Sequence, residues 1–137
     1  LVIDKIKQNN LEGVCKILGS VNQDEMRSLY QIADLSVSFP LRAEGFGRTI
    51  SESLYSNTPV LAFDYGGVKN QLANLSDMLK VKPQHYQGLH TKIEKLLRLT
   101  EDQNKQVLEG ARSVIESNFS KTNMVNQYLK LYESVKP

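Results

Sequence analysis

The chain has 137 residues, of which 40% are hydrophobic and 23% are charged, and its formal net charge is +2. This length suffices for one domain with a hydrophobic core, and so small a net charge gives no electrostatic reason to expect nucleic acid or a membrane surface as a partner. The apolar runs are too short to span a bilayer, and no signal peptide is recognisable. The single Cys15 excludes an internal disulfide and fits a reducing compartment.

The first part of the chain predicts helices alternating with short strands. Asn22 is the expected N-cap of a helix that has acidic residues in its first turn. In chain order we expect the end of a helix over residues 1–10, a strand at 14–18, a helix from 23, a strand at 35–39, a helix at 48–56, a strand at 60–63, a short helix from 68 to about 74, and a strand at 78–81. This alternation predicts an α/β fold whose parallel sheet carries helices on both faces.

The remaining residues have a helical period throughout. Thr100 with Gln103 forms the pattern of a capping box, and Ser120 is the expected cap of the last helix. Because the chain begins at Leu1, within a helical pattern, we expect it to be part of a longer protein. We predict a single domain over residues 1–137, with an α/β core in 1–83 and a helical part in 84–137.

The stretch "EGFGRTISE" places two carboxylates, Glu44 and Glu52, around a Gly-x-Gly turn at the start of a helix. In parallel sheets, ligands bind beyond the carboxyl ends of the strands, where glycine lets the backbone approach them closely. The free N–H groups at the helix start suit a phosphate, whereas carboxylates accept hydrogen bonds from sugar hydroxyls. These residues therefore predict a sugar nucleotide site, with Glu44 on the transferred sugar, Glu52 on the ribose and the phosphates between them.

Residues 33–67, "ADLSVSFPLRAEGFGRTISESLYSNTPVLAFDYGG", resemble a known family. The family pattern runs from Ala-Asp and an apolar strand through Glu-Gly-Phe-Gly to a Pro-Val strand and Gly-Gly, with seven residues between its two glutamates. This pattern is typical of the C-terminal, donor-binding domain of retaining glycosyltransferases of the two-Rossmann-domain (GT-B) type, the family 4 or glycosyl transferases group 1 class. The resemblance implies one half of a GT-B fold that lacks its first strands.

By resemblance, the chain binds the nucleotide diphosphate sugar of a hexosyltransferase-type enzyme that retains the anomeric configuration. Glu44 is then the catalytic residue. The donor-binding residues implied are Glu44, Gly45, Phe46, Gly47, Arg48, Thr49 and Glu52, with Gly19, Ser20 and Val21 near the base. The family uses no cofactor and no obligatory metal, so no metal ligands are expected.

The resemblance also implies where such a protein works and with what. The acceptor, a glycan or a lipid-linked molecule, is bound by an N-terminal domain absent from this chain, and the pathway is cell-surface polysaccharide synthesis. We expect a cytoplasmic location, or a peripheral one at the inner face of the membrane. Without the second half of the cleft we expect residues 1–137 alone to transfer no sugar, and an open sheet edge to favour self-association.

The sequence departs from the family at several positions and leaves alternatives open. The family's Arg/Lys pair lies in strand–helix units that precede this chain, and Asn70 stands where Gly-Gly-x-x-Glu is usual. A non-catalytic partner subunit that kept the fold and a GT-B sugar-nucleotide epimerase are therefore alternatives, as is an unrelated flavodoxin-like binding module. For Glu52 alone, the alternative is an i,i+4 ion pair with Arg48.

Overall fold

A computed structural model describes residues 2–135 of the chain. Seven helices, one short 3₁₀-helix and three strands follow one another in these residues. They are α1 (Val2–Gln8), α2 (Gln23–Ile32), β1 (Ser36–Ser38), α3 (Arg48–Tyr55), β2 (Val60–Phe63), α4 (Val68–Leu72), the 3₁₀-helix Asp77–Leu79, β3 (Lys80–Val81), α5 (Leu89–Leu97), α6 (Glu101–Phe119) and α7 (Lys121–Ser134).

The strands form a parallel sheet in the order β1-β2-β3. Every residue of the central β2 is buried. Because successive side chains of a strand point to opposite faces, both faces of the sheet are covered at β2. The predicted α/β class, with a parallel sheet and a helical final third, is confirmed.

Capping side chains define where the predicted helices begin. Asn22 accepts a hydrogen bond from the Glu25 N–H at 2.9 Å, and the Glu25 carboxylate accepts one from the Asn22 N–H at 2.8 Å. The same reciprocal box forms between Thr100 and Gln103, and Ser120 caps α7. Such caps satisfy N–H groups that have no partner inside the helix, so the three predicted caps are confirmed.

A buried chain of hydroxyl groups ties α2, α3 and β1 together near the amino-terminal ends of β1 and β2. Ser53 Oγ lies 2.7 Å from Ser36 Oγ and donates to the Thr58 carbonyl at 2.9 Å. Thr58 Oγ1 in turn donates to the Tyr30 carbonyl at 2.5 Å. Buried polar groups destabilise a fold unless they are paired, so these contacts fix the position of α3 against its neighbours.

The strand predicted at residues 14–18 does not form. The Val14 and Cys15 N–H groups donate to the Leu11 carbonyl in a turn at 12–14, and residues 15–19 have no regular secondary structure. The side chains of Val14 and Ile17 are 80% and 57% exposed. A strand needs a neighbouring strand for its hydrogen bonds, and no strand within residues 2–135 pairs with these residues. The predicted strand at 78–81 is shorter than expected, because residues 77–79 form the 3₁₀-helix.

None of the helices described over residues 2–135 combines the length and the apolar character needed to cross a bilayer.

We expect residues 1–137 in isolation to self-associate through β1, which lies at an edge of the sheet. Its unpaired backbone groups can pair with a second copy of the chain. Val37→Lys places a charge on this strand, so light scattering at high concentration should show a shift toward monomer. The matched control is Val125→Lys on the exposed face of α7. A chain that is already monomeric, or whose association responds only to Val125→Lys, would contradict this prediction.

Candidate functional site

Two loops meet at the carboxyl edge of the sheet. The first glycine loop, residues 40–47, follows β1, and the second glycine loop, residues 64–67, follows β2. The Gly67 N–H donates to the Glu44 carbonyl at 2.9 Å, and the Tyr65 hydroxyl donates to the Pro40 carbonyl at 2.8 Å. Because both strands are parallel neighbours, these loops extend the sheet where ligands of such folds bind.

The loops approach each other more closely than side chains would allow. A Cβ placed on Gly67 would lie 1.5 Å from the Gly45 carbonyl oxygen. One placed on Gly66, whose φ is +63°, would lie 2.8 Å from the Ala43 Cβ. Only glycine fits where backbone packs on backbone in this way, so the glycines of the second loop determine the shape of the first.

The predicted catalytic residue, Glu44, lies half-buried in the first glycine loop, directly before α3. Its Oε2 atom is 3.4 Å from the position that a Cβ would take on Gly47, the residue preceding the helix. Gly47 supplies no capping side chain, so no side-chain cap occupies the first N–H groups of α3. The Glu44 carboxylate, which accepts hydrogen bonds, therefore lies beside the first backbone N–H groups of α3, which donate them.

Glu52 lies one turn farther into α3 and is half-buried. Its carboxylate pairs with Arg48 at 3.1 Å, so the ion pair expected under the alternative interpretation is present. The pair is partly exposed, with 75% of the Arg48 side chain accessible, and such pairs stabilise proteins by at most about 1 kcal/mol. The pair therefore gives only a weak structural reason for a glutamate at this position.

Glu52 also faces a cleft of about 370 Å³ between α2 and α3. The cleft is lined by Gln23 and Arg27 of α2 and by Tyr30, among others. Burial, and after it the charge of Glu52, raises the pKa of the Tyr30 phenol above its ordinary value, so the phenol stays neutral at physiological pH. The cleft thus presents two carboxylate acceptors, Asp24 and Glu52, beside neutral and cationic donors.

The predicted base-binding residues, 19–21, precede α2, whose first residues, Gln23 and Asp24, line this cleft. Gly19 has a φ of +71° and is exposed, as is Ser20, whereas Val21 is half-buried. The structure thus brings the start of α2 and Glu52 to one groove, and it holds Glu44 to Thr49 at the start of α3. The loop of Gly19 does not follow a strand, because the strand predicted at 14–18 does not form.

Two residues that the sequence analysis passed over also hold the first glycine loop. The Phe119 ring, at the end of α6, packs edge-on against the Phe46 ring with centroids 5.4 Å apart. Gln71, fully buried in α4, hydrogen-bonds to the Phe46 and Gly47 carbonyls. A signal for Gln71 exists in the sequence, since it interrupts the apolar helical stripe of Val68, Leu72 and Leu75.

Within residues 2–135, no His, Cys, Asp and Glu side chains form a group of three or more that could hold a metal ion. The expectation of a reaction without an obligatory metal stays a prediction.

The sequence of this chain matches a known protein family and several known proteins. The family model "Glycosyl transferases group 1" matches residues 2–113. Trehalose synthases of Thermococcus litoralis and Pyrococcus furiosus are each 29% identical over 119 residues, which are 85% of this chain and 27% of each relative. The chain therefore spans about a quarter of the length of these relatives.

Solved structures share the fold. A glycosyltransferase from Rickettsia africae ESF-5 superposes with a TM-score of 0.82 at 29% identity, covering 97% of this chain and 35% of that one. Anabaena Alr3699/HepE, solved in complex with UDP and glucose, superposes with a TM-score of 0.82 at 22% identity. The superposition covers 98% of this chain and 36% of the Anabaena chain.

We expect Gly67→Ala to lower the free energy of unfolding by about 1–3 kcal/mol, because the new methyl group would overlap the Gly45 carbonyl and push the two loops apart. Urea denaturation measures this change. The control is Gly110→Ala in α6, where a Cβ meets nothing within 4 Å and should stabilise the helix by about 0.5–1 kcal/mol. Equal stability of the two variants would show that the loops do not depend on this close contact.

Proposed function

Because this chain belongs to the glycosyl transferases group 1 family, we propose that it binds the nucleotide diphosphate sugar of a retaining glycosyltransferase. The complete protein transfers the sugar to a glycan or lipid-linked acceptor, in the synthesis of cell-surface polysaccharide. The acceptor site and the remaining half of the cleft belong to parts of the protein outside these residues.

One observation carries the proposal, the arrangement around the start of α3. Glu44 stands beside the uncapped N–H groups, Glu52 follows within α3, and the Gly67 N–H of the second glycine loop binds the Glu44 carbonyl. Amide donors suit phosphate oxygens, and flanking carboxylates suit hydroxyl groups. A sugar nucleotide has this order of groups, with hydroxyls on either side of a diphosphate.

The ligands bound in a solved neighbour support the same substrate class. Anabaena Alr3699/HepE was solved with UDP and glucose and also with UDP-glucose. We extend that ligand class to this chain as part of the proposal, leaving the base and the sugar open.

In the proposed mechanism, Glu44 holds hydroxyls of the transferred sugar while its anomeric bond breaks with retained configuration. The backbone of residues 45–49 faces the β-phosphate, where negative charge grows as the nucleoside diphosphate leaves. Glu52 holds the ribose, and Gly19, Ser20 and Val21 lie near the base. No cofactor and no obligatory metal take part, and the reaction belongs to the cytoplasmic side of the cell.

A second candidate is a non-catalytic subunit that kept the fold. The observation in its favour is Asn70, which lies exposed in α4 at the position where the family pattern usually has Glu. Such a subunit would bind a nucleotide sugar and transfer nothing.

The first test is a thermal-shift panel of UDP-, GDP- and ADP-sugars with the complete protein. We expect one nucleoside diphosphate series to raise the melting temperature, because ligands that bind only the folded state stabilise it. The matching nucleosides, which lack the diphosphate, should have little effect.

Residues 1–137 alone should bind about 10²–10⁴-fold more weakly, since two charged phosphate contacts are missing, and should transfer no sugar. A complete protein that binds none of these ligands would refute the proposed function, and one that binds without acceptor-dependent transfer would favour the second candidate.

The second test separates the two glutamates by steady-state kinetics of the complete protein. Glu44→Gln should mainly lower kcat, by about 10²-fold, because it weakens a charge-assisted hydrogen bond to the group whose bonding changes. Glu52→Gln should mainly raise the donor KM, because the ribose is the same in the ground and transition states.

The matched control for Glu52 is Glu116→Gln. Glu116 forms a comparable i,i+4 pair with Arg112 at 2.9 Å on α6, so its loss should leave both constants unchanged. If Glu52→Gln behaves like Glu116→Gln, the ion pair with Arg48 is the better account of Glu52, and if Glu44→Gln changes KM alone, its assignment to the transferred sugar is wrong.

A further inference from the structure

Gln71 is the only fully buried amide side chain in the described core, and all of its hydrogen bonds point to the first glycine loop or to α3. Its Oε1 accepts a hydrogen bond from Ser51 Oγ at 2.5 Å. Its Nε2 donates to the Phe46 carbonyl and, at 3.2 Å, to the Gly47 carbonyl. Carbonyl oxygens only accept hydrogen bonds, so the NH₂ group must face the loop, and the amide orientation is determined.

These two hydrogen bonds from Gln71 determine the direction of two backbone N–H groups in the loop. In a planar trans peptide, the carbonyl of one residue and the N–H of the next point in opposite directions, and the described residues contain no cis peptide bond. With the Phe46 and Gly47 carbonyls turned toward Gln71, the N–H groups of Gly47 and Arg48 are turned away from it. These are N–H groups at the start of α3, where the proposed function puts the diphosphate.

We propose that Gln71 is a positioning residue for the donor diphosphate, which it never touches. It holds the two peptide units of the first glycine loop so that their N–H groups face the β-phosphate. This inference rests on the proposed function.

The Gly47 carbonyl also accepts a hydrogen bond from the Ile50 N–H at 3.1 Å, so the loop needs the clamp mainly at the Phe46–Gly47 peptide. Gly47 has a φ of +75° and no capping side chain, and Gly45 has no neighbour that would restrict a side chain. Glycine explores more backbone conformations than other residues, so an unsupported Gly-x-Gly turn would present its amides in many directions. The Gly67 N–H already donates to the Glu44 carbonyl, and Gln71 donates to the Phe46 and Gly47 carbonyls farther along the loop.

The test compares Gln71→Leu with wild type in the complete protein, using UDP, GDP and ADP and the corresponding nucleosides as probes in calorimetric titrations. Leucine keeps the approximate volume and removes every hydrogen bond to the loop. We expect the affinity for the preferred nucleoside diphosphate to fall about ten- to a hundredfold, as expected for misdirected hydrogen bonds to a charged group. The affinity for the nucleoside should change less than about twofold, because it makes no contact with these amides.

Gln71→Glu supplies a second readout if the leucine variant does not fold. The ionised carboxylate can only accept hydrogen bonds and repels the two carbonyls, whereas the protonated acid can donate to one of them. Burial raises the pKa of such a carboxyl group, so the variant should recover diphosphate affinity relative to wild type as the pH falls from about 8 to about 6. Lys92→Met is the control, because it removes side-chain hydrogen bonds to the Asp77 and Lys80 carbonyls, away from α3 and the loop, and should leave all affinities unchanged.

The outcomes separate this inference from the function on which it rests. If wild type binds a nucleoside diphosphate and both Gln71 variants bind it equally well, the positioning role is wrong and the donor site stands. A parallel loss of diphosphate and nucleoside affinity would also overturn the role, since it would show general damage to the fold. If wild type binds no nucleoside diphosphate, the proposed function and this inference fail together.

Discussion

The contact between the backbones of two glycine loops is the constraint on which the site depends. Neighbouring parallel strands deliver both loops to one edge of the sheet, and the Gly67 N–H holds the Glu44 carbonyl there. Because the space between them admits no Cβ, the distance between the loops is set by backbone atoms alone. Side chains adjust by changing rotamer, but packed backbone cannot, so the backbone of Glu44 and the start of α3 keep a constant position relative to the core.

Most of the fold could be predicted because its signals are local. The caps at Asn22, Thr100 and Ser120 involve residues three positions apart, and such patterns are readable in any single sequence. The four apolar residues of β2 indicate a strand covered on both faces, which the structure confirms. The arrangement of Glu44 and Glu52 was predictable for the same reason, since both lie within one loop and the helix that follows it.

Two of the errors, the strand expected at 14–18 and the omission of Gln71, concern contacts between distant residues. The β-rich run at 14–18 has the propensity of a strand, but the strand forms only where a partner offers hydrogen bonds, and propensity says nothing about the partner. Gln71 was missed because its partners, Phe46 and Gly47, are more than twenty positions away. A buried glutamine within an apolar stripe does signal that some backbone nearby needs a donor, although the stripe does not say which backbone.

The charges around the first glycine loop affect which anionic ligands can bind at the proposed site. Arg42 and Arg48 are balanced by Glu44 and Glu52, so these four side chains contribute no net positive charge toward a diphosphate. The amides at the helix start add only about half a unit of charge, which leaves most of the compensation to groups elsewhere in the protein. This balance disfavours simple anions, because inorganic phosphate would gain the amides but be repelled by both carboxylates. In the proposed function, a ligand that carries hydroxyls on either side of its phosphates instead donates a hydrogen bond to each carboxylate, so the glutamates would favour a sugar nucleotide over phosphate alone.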